Sequence, residues 1–422
     1  MMKKNTFAKV DSSLYSETLD NGIEVYLYPK NDTKNFYISI SVKYGAKINQ
    51  YKKGNKIVDV IPGSAHFLEH KVMALSENAE ISKRINELGS IANAWTSYEC
   101  TNYNIFGSIN IKENLKLLFD IFYNTNINEK SVEEEKGIIG EEIDMNQDDI
   151  NTYLYYRMFD NLFNNSYVKN TIVGTRESIS KITAKSLNEI YDDYYIPNNT
   201  FIIVCGDFNV EDIMNEIKEY MSKLNLKQKE LPEKIVKKES DIVSNSFEII
   251  HKDLESERVK FALKIPKKNF NFKNDTFLKY YINIILSCNF SSTAQLYEKY
   301  KNAGIIYSMS TTTSVIDDYV VVFISANCKD GDTFIENIKK DIKKLKLSEI
   351  DFERKKKMFI KSYIIDFDNI EDIEYNICDM LVRDNKINYN EYTEILNMSY
   401  DQAKKIQEEI KPINTSIIKA IK

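Results

Sequence analysis

Apolar and polar residues alternate near the start of the chain in a way that marks strands. Residues 17 to 28 carry an Asn21-Gly22 turn followed by β-type residues, closed by Pro29, and residues 36 to 44 alternate from Phe36 to Tyr44. Together these runs predict a hairpin-like pair of strands. The pattern then lengthens to a helical period over about 79–88, 112–125, 130–163 and 184–195, with an extended segment between the first two helices. Pro197 ends the last of them, and Thr200–Asp207 reads as a strong strand. Mixed strands and helices in this order predict an α+β fold.

Between about 224 and 245 the chain turns polar and loses apolar periodicity, which predicts a linker over 229–245. It would separate an N-terminal domain, 1–228, from a C-terminal domain, 246–422. The second half repeats the plan, with strands near 246–266, helices near 273–286 and 292–302, strands near 305–328 and two long helical stretches over about 332–382. At 422 residues the chain is too long for one hydrophobic core, which agrees with two domains.

Composition narrows the function classes. Hydrophobic residues make up 43% and charged residues 28%, an ordinary globular balance. A formal net charge of −6 leaves no basic excess for phosphates, so nucleic acid is not the expected partner. The basic start, Met1 to Phe7, is followed by no apolar core of a secretory signal, and no uncharged run reaches membrane-spanning length. Five scattered cysteines (Cys100, Cys205, Cys288, Cys328, Cys378) form no C-x-x-C pair and read as reduced thiols of a cytoplasmic protein.

The chemistry concentrates in Gly63-Ser64-Ala65-His66-Phe67-Leu68-Glu69-His70, which holds two of the three histidines. Positions i and i+4 of a helix share a face, so His66 and His70 can offer two imidazoles to one cation, with Glu69 bordering that face. H-x-x-E-H is a zinc-binding signature in which the glutamate serves as general base. Two histidines can share a helix face without a metal, but only His251 lies elsewhere in this chain, and that scarcity favours a site. A catalytic zinc takes a third protein ligand. The acidic, helix-patterned stretch Glu135–Met145 offers candidates, among which Glu141 and Glu142 point about 100° apart on a helix.

The later pattern E-x-x-x-I-x-x-E-I, read together with H-x-x-E-H, resembles the pitrilysin/insulinase family of zinc peptidases. The resemblance implies that Glu142 is the third ligand of one Zn2+ per chain and that Glu135, two helical turns earlier, supports the site from behind. It also implies that the strand around Ser90–Tyr103 borders the zinc, with Asn93 and Ala94 contacting a peptide substrate; Trp95, the one tryptophan, is expected to pack in the core rather than to bind. In the second half, Gly304-Ile305-Ile306-Tyr307 matches a family tyrosine that steadies the oxyanion. Its companion arginine is missing: Tyr300 stands seven residues before Tyr307, flanked by Lys299 and Lys301. Lys71-Val72-Met73 also departs from the family's commoner continuation and resembles a bacterial subgroup in which an active two-domain subunit is encoded with an inactive homologue.

The fold so implied is two homologous α+β domains, each a mixed, largely antiparallel sheet packed with helices, forming half of a clamshell chamber. The activity implied is zinc-dependent endopeptidase action on peptides or unfolded segments. The expected assembly is a homodimer, or a heterodimer with an inactive homologous subunit. A different class also fits the resemblance: a subunit active only with a homologous partner, or a non-hydrolytic peptide-binding subunit.

Overall fold

The computed structural model describes residues 2–73 and 79–422, so Met1 of the basic start lies outside them. The chain forms two compact units, each assembled from separate stretches. One comprises residues 1–148, 170–236 and 364–391; the other comprises 149–169, 237–363 and 392–422. The division therefore does not follow a single linker over 229–245: residues 149–169 join the second unit and 364–391 the first.

The first unit is built on a seven-stranded sheet. Its order is Lys3–Thr6, Ser13–Thr18, Glu24–Pro29, Thr200–Gly206, Phe36–Val42, Thr101–Gly107, Ile91–Thr96. Every neighbouring pair is antiparallel except Glu24–Pro29 with Thr200–Gly206. The expected pairing of the 17–28 and 36–44 runs does not form, because Thr200–Gly206 lies between them. All seven of its residues are buried, and a run apolar on both faces is most stable in the middle of a sheet. The Asn21-Gly22 turn instead joins Ser13–Thr18 to Glu24–Pro29, with Gly22 at φ +93°.

Both faces of this sheet are covered. Val25, Leu27, Ile38, Ile40, Ile202 and Val204 point into a core shared with helices Ser64–Met73, Ile111–Tyr123 and Val210–Lys223. On the opposite face Tyr26, Tyr28, Tyr37, Phe201 and Ile203 pack against Ile370, Ile373 and Ile377 of helix Ile370–Asp384. That need for cover explains why a late helix belongs to this unit. The helical stretch expected over 130–163 is two helices, Glu129–Asp148 and Ile150–Leu162, with Asp149 capping the second through Thr152 N–H.

The second unit carries a five-stranded sheet in the order Phe247–His251, Thr415–Ile421, Glu257–Pro266, Tyr319–Cys328, Ile306–Ile316. Helices Asp275–Phe290 and Gln295–Asn302 follow the expected pattern, whereas the two long helical stretches expected over about 332–382 are three helices, Gly331–Asp341, Glu349–Ile365 and Ile370–Asp384. This mixed, antiparallel-rich architecture in both units is the fold class the sequence implied. Four of the five cysteines are buried, and all are free.

Helix Ile370–Asp384 brings one carboxyl under the first sheet. Glu374 is fully buried, accepts hydrogen bonds from Ser39 Oγ and Asn102 Nδ2, and is pushed up to about 7 by desolvation, against the pull of those two donors. The folded state thus holds this proton to higher pH than the unfolded chain does. The associated stability is complete below about pH 4.5 and is lost as pH rises through about 7. Glu374→Gln should therefore be more stable than wild type at pH 8, by up to about 3 kcal/mol, and no more stable at pH 4.5. Denaturant melts at the two pH values measure this, and equal shifts at both would contradict it.

Candidate metal centre

Helix Ser64–Met73 starts at a point of close approach. Gly63 has φ +95°, and a Cβ there would sit 2.9 Å from Val173 O; Gly174, at φ +78°, would likewise meet Pro62 O at 2.8 Å. Only glycine serves at both positions. The helix is buried almost throughout, with Ala65, Phe67, Leu68, Val72 and Met73 in the core beneath the sheet. Its other face holds His66 and His70, whose rings stand 4.6 Å apart between centroids.

Helix Glu129–Asp148 runs alongside and supplies the carboxylates. Val132, Ile139 and Ile143 anchor it in the same core. Glu142 faces both imidazoles at once: Oε1 is 3.4 Å from His66 Nε2, and Oε2 is 3.5 Å from His70 Nε2. Glu135 Oε1 lies 2.8 Å from the other nitrogen of His70, Nδ1. Glu141 points elsewhere. It is largely exposed, 4.0 Å from Arg176, a guanidinium that also binds Asp144 and lies close over Gly140. Geometry thus favours Glu142 over its neighbour.

Glu69 also stands within reach: ligand atoms of His66, Glu69 and His70 all lie within 4.8 Å of one another. Its Oε2, however, accepts a 2.5 Å hydrogen bond from Thr96 Oγ1. Thr96 ends the strand Ile91–Thr96, which lies at one edge of its sheet and among the described residues pairs only with Thr101–Gly107. Asn93 and Ala94 lie on this strand, opposite Asn104 and Tyr103, with the Asn93 side chain accepting from Ala94 N–H at 2.9 Å. Trp95 is partly buried beside Tyr375, in packing rather than at the histidines. Tyr307 belongs to the other unit, where it is 57% exposed at a register shift in strand Ile306–Ile316. Tyr300 is buried and donates to Asp341, so no cation occupies that position.

Imidazoles and carboxylates dominate one another's electrostatics in this cluster. His70 is raised to about 9: burial alone would lower it, but Glu135 and Glu142 prevail. The two imidazoles hold Glu142 well below the usual carboxylate range. A tetrahedral zinc with Zn–N and Zn–O bonds of about 2.0–2.1 Å sets neighbouring donors roughly 3.3–3.4 Å apart, close to the two separations around Glu142. The residues therefore fit a zinc ion held by two imidazoles and one carboxylate. His66 Nδ1 has no hydrogen-bond partner among the described residues, whereas His70 Nδ1 is oriented by Glu135.

Two participants were not singled out from sequence. Thr96 was read only as part of an extended stretch, and Lys71 only as a departure from a pattern. Lys71 is buried, 3.9 Å from Glu135 Oε2. No local signal marks either, because each acts on a residue distant in sequence.

Comparison with known proteins points to one family. Residues 58–176 match the family model described as Insulinase (Peptidase family M16), and residues 181–359 match the one described as Peptidase M16 inactive domain. The chain belongs to this insulinase/pitrilysin family of zinc peptidases. An uncharacterized zinc protease of Bacillus subtilis, YmfH, is 33% identical over 255 residues, covering 58% of this chain and 59% of that protein. The zinc protease PqqE of Helicobacter pylori is 28% identical over 262 residues, covering 60% and 56%. The matched stretch thus spans less than two thirds of the length of these curated relatives. A solved M16-like protein of Alicyclobacillus acidocaldarius shares the fold, with TM-score 0.90 at 21% identity over 98% of this chain and 99% of that one.

Protonated His70 stabilises the metal-free protein, because its folded value lies above the 6.5 of a free imidazole. That contribution is full below about pH 6.5 and is lost as pH rises through about 9. In chelator-treated protein, the stability lost in His70→Gln should be greater at pH 6 than at pH 10 by on the order of 2 kcal/mol. Thermal or denaturant melts test this, and a pH-independent difference would contradict it.

Proposed function

We propose that this chain is a zinc-dependent endopeptidase acting on peptides or unfolded segments, with one zinc ion held by His66, His70 and Glu142. The observation that carries the reading is the approach of two Nε2 atoms to the two oxygens of one carboxylate, with Glu69 alongside. His66, His70 and Glu142 would hold a zinc ion whose Lewis acidity would be available to polarise a peptide carbonyl and to lower the pKa of water to about 7. Glu69 accepts the proton of the attacking water and returns it to the leaving amine. Thr96 holds Oε2 of Glu69 by donating to it, which leaves Oε1 for the proton. Glu135 fixes the ring and tautomer of His70.

The open side of strand Ile91–Thr96 suits an extended peptide, whose main chain can pair with an edge strand while its side chains matter little. Asn93 and Ala94 would lie against it, the Asn93 side chain giving up Ala94 N–H to the substrate. Tyr307 would steady the developing oxyanion. Among the described residues no helix is long and apolar enough to cross a membrane, and the five free cysteines suit a reducing cytoplasm.

A second reading has its own observation in favour: Tyr300 stands buried where the resemblance calls for an arginine, and Lys299 is drawn to Asp341. A homologous subunit would then supply the missing cation, so that the chain works as a homodimer or a heterodimer. The match of residues 181–359 to a model described as an inactive domain accords with a second half without a metal site of its own.

A quenched fluorescent peptide, assayed with and without chelator and with and without the homologous partner, separates these readings. Glu69→Gln should retain one zinc per chain by elemental analysis yet lose at least about a hundredfold in cleavage rate. His66→Ala should lose the zinc itself. Cleavage that persists in zinc-loaded Glu69→Gln would remove Glu69 as the base.

A further inference from the structure

Lys71 immediately follows the second histidine and is 2% exposed, an unusual position for an ammonium group. Its Nζ donates to Ser131 O at 3.2 Å and lies 3.9 Å from Glu135 Oε2. The other oxygen of Glu135 meets His70 Nδ1 at 2.8 Å. Ser131 and Glu135 are one turn apart on helix Glu129–Asp148, the helix that also carries Glu142. Lys71 therefore joins the helix of the two histidines to the helix of the distal carboxylate.

A buried charge costs several kcal/mol unless it is paired, and both Lys71 and Glu135 are buried. Packing alone does not demand this arrangement, since an unbranched apolar side chain of similar volume could fill the same space. The charge serves to keep Glu135 between two partners, one on each oxygen.

We infer that Lys71 is a positioning residue for the metal centre: it fixes Glu135 against His70 and pins the start of the Glu142 helix, so that the three donors are set before the cation arrives. This inference rests on the zinc reading above. Lys71 acts through Glu135, and loss of such an outer partner typically weakens metal affinity 10–100-fold.

The test is zinc affinity, by competition with a chromophoric chelator, in the full-length wild type, Lys71→Met, Glu135→Gln and the double variant. A wild type that takes up no zinc overturns the metal reading itself, and this inference with it. With a zinc-binding wild type, each single variant should bind 10–100-fold more weakly, and the double variant no more weakly than Glu135→Gln alone. Zinc affinity within twofold of wild type in Lys71→Met, or losses that multiply in the double variant, would overturn the positioning role and leave the zinc reading standing. If Lys71→Met does not fold, the double variant, in which neither charge is left uncompensated, is compared with Glu135→Gln on the same criterion.

Discussion

The candidate centre depends on two helices, far apart in the chain, bringing their side chains to one point. His66 and His70 are fixed relative to each other by helical geometry alone. Glu142 is not, and its approach to both Nε2 atoms depends on how helix Glu129–Asp148 lies against helix Ser64–Met73. Apolar contacts set that approach through Val132, Ile139 and Ile143, and two polar ties refine it, Glu135 to His70 and Lys71 to Ser131. The same approach sets two carboxylates, Glu135 and Glu142, beside His70, and against the cost of burial they hold its imidazole above the free value.

The sheet supplies the other half of the arrangement. Its middle strands are buried on both faces, while Ile91–Thr96 stands at the edge. Thr96 joins that edge to Glu69 through a single short hydrogen bond. The residue proposed to move the proton is thus held by the strand proposed to hold the substrate, so substrate alignment and base orientation share one element. Binding of an extended peptide would then place its main chain beside the base with little added ordering.

How much of this could be read from sequence follows from distance along the chain. The histidine pair and Glu69 were legible, because i, i+3 and i, i+4 spacing fixes geometry locally. Glu142 came only by resemblance, and its advantage over Glu141 depends on Arg176 and Gly140, which no local pattern reveals. Strand positions were largely recovered, but not their neighbours: periodicity says that Thr200–Gly206 is a buried strand, not that it parts Glu24–Pro29 from Phe36–Val42. The use of helix Ile370–Asp384 to cover the first sheet was likewise hidden, since an amphipathic helix does not declare which apolar face it will meet. Thr96 and Lys71 escaped for the same reason.

The central claim is that Glu142, rather than Glu69, completes the ligand set. Anomalous diffraction at the zinc edge on crystals of the zinc-loaded protein tests it most directly. The account predicts one zinc per chain at bonding distance from His66 Nε2, His70 Nε2 and a Glu142 oxygen, with Glu69 still hydrogen-bonded to Thr96. Zinc bonded to Glu69 with Glu142 turned away, or an anomalous peak elsewhere in the chain, would contradict it.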